Sequence, residues 1–223
     1  MNYKKDKFEY LESLNIRILV SDSFKITSDA IYLSNYINKI IKNRKKQKLK
    51  FLEIGAGNGI ISILISKNDN IQNITAVEKQ EEIYKYLYMN VSENTLSDKI
   101  LPINDDIINV SGEYDFIFSN PPYCKLDSGK LPNDEVELIS KYEKTLTLET
   151  LIFKSKQLLK NEGEFVIIIP SNRLNDLQKC IYNANLNIIR LKFFISNKKE
   201  LVIIHGKKGG KANSGIKIEI ENI

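Results

Sequence analysis

Apolar runs and amphipathic segments alternate along this chain from residue 50 onward. That alternation predicts an α/β fold, a doubly wound and mostly parallel seven-stranded sheet with a short N-terminal extension. Three observations carry the prediction. Short apolar runs of strand character recur between segments of helical period. A glycine turn, Gly55-Ala56-Gly57-Asn58-Gly59, closes the first of those runs and opens a helix. Polar or acidic residues end the later runs, at the edge where open α/β sheets carry their ligands.

The elements follow in order. Residues 8–26 alternate irregularly and are expected to form a small strand pair. The spacing Ile31, Ser34/Asn35, Ile37/Asn38, Ile41 predicts a helix from Ser28 or Asp29 to about Asn43, capped by one of those two residues. The basic run Lys42–Lys48 then leads into the first core strand, Lys50–Ile54, and the turn opens helix Ile60–Asn68. Strand Ile74–Glu78 precedes helix Gln80–Asn94, whose apolar face reads as Tyr84, Leu87, Tyr88 and Val91. Strands Ile100–Asn104 and Tyr114–Ser119 come next, then a long polar loop and helix Thr147–Leu159. Strand Glu164–Pro170, helix Leu174–Asn183 and strands Ile188–Ile195 and Leu201–Gly206 complete the pattern. No helix separates the last two, so one of them should run antiparallel at the far edge. The division expected is 1–45 for the extension and its helix, and 46–223 for the main domain.

Composition bounds the chemistry. The 223 residues are 42% apolar, enough for one full core. No apolar stretch is long enough for a membrane span, and Met1–Lys7 lacks a signal-peptide core, so a cytoplasmic, membrane-free monomer is expected. One histidine, His205, leaves little material for a zinc cluster or a histidine-centred triad, so no metal is expected. The two cysteines, Cys124 and Cys180, read as free thiols. A net charge of +5 leans toward a polyanionic partner, although a chain rich in Lys, Asn and Ile carries such a charge without that selection. Arg173, Lys125, Lys141 and Lys207–Lys211 are the candidate phosphate contacts.

The turn Glu53-Ile54-Gly55-Ala56-Gly57-Asn58-Gly59 reads as a nucleotide site. Its glycines, Gly55, Gly57 and Gly59, permit a tight turn and close approach of a ligand to the backbone. Glu78 ends the next strand, where an acidic residue can accept from both ribose hydroxyls of an adenosine. The third glycine comes one place earlier than in the dinucleotide fingerprint. Glu53 is poor company for a pyrophosphate and good company for a cation. That charge logic favours S-adenosylmethionine, with its ammonium and sulfonium, over a nicotinamide dinucleotide. Asp106, after the third strand, can accept from the cofactor's adenine amino group. A pair of aspartates opening a turn is the competing reading of Asp105-Asp106.

Asn120-Pro121-Pro122-Tyr123 follows a buried strand. Two prolines fix φ and remove two donors, leaving a stiff loop of carbonyl acceptors. The Asn120 side-chain oxygen and the Pro121 carbonyl suit the two protons of a planar amino group, with Tyr123 stacking behind it. Cys124 has no histidine partner and is not read as a nucleophile.

Taken together, Glu53, the three glycines, Glu78, Asp106 and Asn120–Tyr123 resemble the Rossmann-like class I S-adenosylmethionine-dependent amino-methyltransferases. Within them the chain is most similar to the bacterial tRNA adenine-N6 methyltransferases that modify position 37 of tRNA1(Val). Phe24–Leu33, Tyr142–Glu149 and the Gly206–Lys211 tail carry that finer likeness. The family often has Arg-His where this chain has Lys141-Tyr142. The resemblance implies S-adenosyl-L-methionine as cofactor, tRNA as partner and methyl transfer to an adenine amino nitrogen. Other acceptors fit the same loop: a protein glutamine amide, as in release-factor methyltransferases, or an adenine elsewhere. A catalytically silent RNA-binding protein on this fold is the reading outside enzymes.

Overall fold

The computed structural model describes residues 6–21, 25–44, 48–122, 146–197, 199–210 and 215–223. The chain divides into two compact units, Met1–Val110 and Ser111–Ile223.

The first unit opens with an antiparallel hairpin, β1 (Lys7–Leu11) and β2 (Ile16–Val20), in the register Phe8↔Leu19 and Tyr10↔Arg17. Asn15 closes the connection at φ 50°, a left-handed conformation that asparagine tolerates better than most residues. Helix α1 (Ser28–Lys42) follows. Its cap is Thr27, not Ser28 or Asp29: Thr27 is extended, and its hydroxyl oxygen accepts from the Ala30 amide at 3.3 Å. Ala30, Leu33, Ile37 and Ile41 form the buried stripe.

The parallel strands β3 (Leu49–Ile54), β4 (Ile71–Glu78) and β5 (Ile100–Asn104) lie in that order, with helices α2 (Ile60–Ile65) and α3 (Glu81–Glu93) between them in sequence. β4 begins three residues ahead of the predicted Ile74, because exposed Gln72 and Asn73 interrupt the apolar pattern without breaking the strand. On α3 the buried residues are Ile83, Leu87, Asn90 and Val91, whereas Tyr88 is 59% exposed. The predicted face was rotated toward its tyrosines, and the buried side is completed by Ile83 and Asn90 on the flank away from Tyr84 and Tyr88.

The second unit holds β6 (Tyr114–Ser119), α4 (Leu148–Leu158), β7 (Leu159–Pro170), α5 (Leu174–Asn183), β8 (Leu186–Ile195), β9 (Glu200–Lys208) and β10 (Lys217–Asn222). β6 pairs parallel with β7, β9 pairs antiparallel with both β7 and β8, and β10 pairs parallel with β8. An antiparallel strand was expected, but at the far edge. It is instead β9, which is interior. Leu201 through Gly206 are all buried, as a strand covered on both faces requires. β10 takes the outer place beside β8. Its Lys217-Ile218-Glu219-Ile220-Glu221 alternation was not read as a strand, and with it the described strands outside the hairpin number three and five rather than seven in all.

Candidate cofactor and catalytic residues

β3 delivers its C-terminal end to the glycine turn. The amides of Gly55 and Ala56 both donate to the Val77 carbonyl, at 3.0 and 2.9 Å, which stitches the turn to the end of β4. Gly55, Gly57 and Gly59 have φ of 69°, 58° and 83°, so the chain turns here through conformations that side chains resist. The reasons for glycine then differ. A Cβ at Gly57 would meet nothing within 4 Å, so this backbone is open to an approaching group. A Cβ at Gly59 would lie 2.5 Å from Leu87 Cδ1, so this glycine serves packing against α3. The sequence reading offered ligand approach for both; the geometry supplies it at Gly57.

A pair of substitutions separates these roles. Gly57→Ala carries left-handed strain of ~1–2 kcal/mol and places a methyl on the open face, so cofactor affinity should fall with a modest loss of Tm. Gly59→Ala adds overpacking against Leu87, typically ~1–3 kcal/mol, and should show the larger drop in Tm. Equal melting temperatures for the two variants would contradict this division.

Glu78 ends β4, buried, with Oε2 accepting from the Gly57 amide at 3.0 Å and Oε1 from the Gln80 amide at 2.9 Å. Burial pushes its carboxyl above the ordinary range, opposed by those amides. It therefore sits against Gly57, held by backbone donors on both sides. Asn104 supports it from β5: its Nδ2 donates to the Glu78 carbonyl at 2.9 Å.

Glu53 is fully buried. Its Oε2 accepts from the Ser62 amide at 3.2 Å and from the Ser62 hydroxyl, so the side chain is tied to helix α2. Burial pushes its pKa up to about 8, with Ser62 working in the opposite direction. In the window from 4.5 to about 8 the folded state keeps a proton that the unfolded chain has released. The contribution of Glu53 is therefore fully present at low pH and is lost as pH rises toward 8. Glu53→Gln retains an acceptor for Ser62 and removes the titration. Its Tm should decline less than the parent's between about pH 5 and about pH 8, and equal declines would remove Glu53 as the source.

Asp106 follows β5 and caps a 3-10 turn, Ile107–Asn109: its Oδ1 accepts from the Ile108 amide at 3.0 Å, and its Oδ2 pairs with Lys79 Nζ at 2.7 Å. Asp105 accepts from the Asp106 amide at 2.6 Å and from Asn109 Nδ2 at 2.7 Å. Both aspartates thus shape a turn, and Lys79 is a neighbour of Asp106 that the sequence reading missed. Lys79 is adjacent in sequence to Glu78, and an ion pair to the end of the next strand has no signature in spacing.

In the second unit β6 carries Phe116, Ile117, Phe118 and Ser119, all buried, and is followed by Asn120, half-buried, and Pro121, buried. Pro122 is half-buried. Tyr123, Cys124, Lys125 and Lys141 lie outside the described residues. Lys211 lies outside the described residues too, and three candidate phosphate contacts are engaged within the fold. Arg173 is buried, with Nε 2.9 Å from Asp176 Oδ2, and Lys207 pairs with Glu162. Lys208 Nζ donates to the Leu159 carbonyl at 2.6 Å.

The residues of the first unit fit an adenosine-bearing cofactor without phosphates. Gly57 leaves its backbone face open, and Glu78 brings acceptors to that face, where a pyrophosphate would need donors. A parallel β3–β4–β5 run with this turn and this acidic strand end defines a class I S-adenosylmethionine-dependent methyltransferase fold. A putative class I S-adenosylmethionine-dependent methyltransferase from Listeria monocytogenes superposes with a TM-score of 0.65 at 15% identity, covering 92% of this chain and 67% of that one.

The methyltransferase small domain model matches residues 34–185, and the chain belongs to that family. S-adenosyl-L-methionine is the cofactor that accompanies this family and fold. The tRNA1(Val) (adenine(37)-N6)-methyltransferase of Porphyromonas gingivalis strain W83 is 29% identical over 145 residues, 62% of this chain and 55% of that protein. The protein of the same name from Serratia proteamaculans is 32% identical over 130 residues, 56% of this chain and 49% of that one. The chain thus spans about half the length of these relatives.

Proposed function

We propose that this protein transfers a methyl group from S-adenosyl-L-methionine to N6 of an adenine in tRNA, with position 37 of tRNA1(Val) as the target. The observation that carries the reading is Asn120-Pro121-Pro122-Tyr123 at the end of buried strand β6, in a chain of the methyltransferase small domain family. The names of its relatives support adenine in tRNA as the acceptor.

The bound cofactor supplies an electrophilic methyl on a sulfonium. Glu78 accepts from the ribose hydroxyls, and Asp106, already oriented by Ile108 and Lys79, accepts from the adenine amino group. Glu53, anchored to Ser62, gives up its proton when the cationic end binds and then supplies the opposing charge. The Asn120 side-chain oxygen and the Pro121 carbonyl hold the two protons of the target amino group. That hold turns the nitrogen lone pair out of the ring plane, toward the methyl. Tyr123 stacks on the target base and offsets part of the stacking lost on extrusion, roughly 1–3 kcal/mol. The cofactor would supply the methyl and keep the C–S electron pair as a neutral thioether, while the target nitrogen would lose to water one of the protons held by Asn120 and Pro121. A side-chain base is not required before attack.

The test is mass spectrometry of nucleosides from bulk tRNA of a strain lacking the gene, with restoration by the purified protein. Loss and recovery of N6-methyladenosine support the proposal. An unchanged nucleoside profile, with methylation of a glutamine in a release factor instead, would transfer the same chemistry to a protein amide.

A further inference from the structure

Asn90 on α3 and Asn94, which caps that helix at its C-terminus, lie one turn apart and treat β2 as a neighbouring strand would. Asn94 Oδ1 accepts from the Arg17 amide at 3.0 Å, while its Nδ2 donates to the Arg17 carbonyl at 2.7 Å. Asn90 repeats the pattern on Leu19, accepting from its amide at 2.6 Å and donating to its carbonyl at 3.2 Å. Four residues of helix rise about 6 Å and two residues of strand rise about 6.6 Å, so the two amides meet alternate residues of β2.

The two asparagines differ in one respect. Asn90 is fully buried, and its Nδ2 also donates to the Asn58 carbonyl at 2.9 Å, inside the glycine turn. The further bond from Asn94 Nδ2 goes to the carbonyl of Asn90, at 2.7 Å, within its own helix. One side chain thus joins the hairpin, α3 and the peptide between Asn58 and Gly59. Asn58 itself is held lightly by its side chain: Oδ1 accepts from the Ile60 amide at 3.3 Å, and Nδ2 has no hydrogen-bond partner among the described residues. Removing the Asn90 amide would leave the Leu19 amide and carbonyl and the Asn58 carbonyl unpaired in a buried setting.

We propose that Asn90 is a positioning residue for the cofactor turn, and that through it docking of the β1–β2 hairpin and binding of the cofactor are coupled. The proposal rests on the reading that the Gly55–Gly59 turn takes S-adenosyl-L-methionine. Such a coupling is reciprocal: a ligand that orders the turn favours the seated hairpin, and the seated hairpin favours the ligand.

Asn90→Ala and Asn94→Ala each remove one two-bond bracket on β2, and only Asn90→Ala also frees the turn. Calorimetric titration of each variant with S-adenosyl-L-methionine, well below its Tm, separates the roles. The expected result is a Kd raised at least tenfold in Asn90→Ala and changed less than twofold in Asn94→Ala, although both lower Tm. Equal Kd values in the two variants would overturn the proposal. Should Asn90→Ala not fold, hydrogen exchange of the wild-type chain decides. Cofactor must slow exchange of the Leu19 amide as well as the amides at 57–60, and protection confined to the turn overturns the coupling. A wild-type chain that binds no cofactor removes the underlying reading and the proposal together, an outcome distinct from either of these.

Discussion

Asn120→Ala should lower methyl transfer by at least about 100-fold, the scale seen when one positioned polar group is removed from a reacting centre. The Kd for S-adenosyl-L-methionine should stay within about twofold, because the backbone and carboxylates proposed to hold it belong to β3, β4 and the turn after β5. An exocyclic adenine nitrogen is a poor nucleophile while its lone pair is shared with the ring, and the Asn120 oxygen is one of only two acceptors assigned to its protons. Asn120 follows a strand whose preceding four residues are buried, so truncation leaves the support beneath it in place. Single-turnover transfer to tRNA with labelled cofactor, alongside calorimetry, measures both quantities. Near-normal turnover would remove the loop from the chemistry.

Glu78→Ala should produce the complementary pattern. A charged acceptor on ribose hydroxyls contributes about 1.5–3 kcal/mol, so Kd should rise roughly tenfold to a hundredfold. Transfer at saturating cofactor should recover much of its rate. The same substitution removes the acceptor of the Gly57 and Gln80 amides, and Tm should fall as well. Glu78→Gln separates the effects, because it keeps an acceptor and loses the charge. Burial raises the carboxyl's pKa, so wild-type affinity should weaken on acidification at a higher pH than an ordinary carboxylate would allow. That pH dependence should be absent in Glu78→Gln. A Kd unchanged in Glu78→Ala would exclude the ribose assignment.

These predictions draw on parts of the chain that differ in how openly they were written. The glycine turn and Glu78 are adjacent to strands whose apolar runs are unmistakable, and their spacing is read directly along the chain. The interior position of β9 was not legible, because strand order depends on which edges pair and not on local pattern. β10 was missed because its alternating Lys, Ile and Glu reads as a polar tail until β8 offers Arg190 and Lys192 to its glutamates. Asn90 escaped for a related reason. Hydrophobic periodicity counts apolar residues, and a buried amide gains its place from partners far away in sequence.

By itself, the amino-acid sequence determined the α/β class, the glycine turn, the acidic strand end and the asparagine–proline loop. Each is a short-range pattern in which the spacing is itself the physical requirement. Only the tertiary structure decided what the individual side chains do. It opened the backbone at Gly57 and closed it at Gly59, tied Glu53 to Ser62, turned Arg173 inward to Asp176, and joined the hairpin to the glycine turn through Asn90. Those outcomes depend on burial and on hydrogen bonds across long sequence separations, which local pattern does not encode.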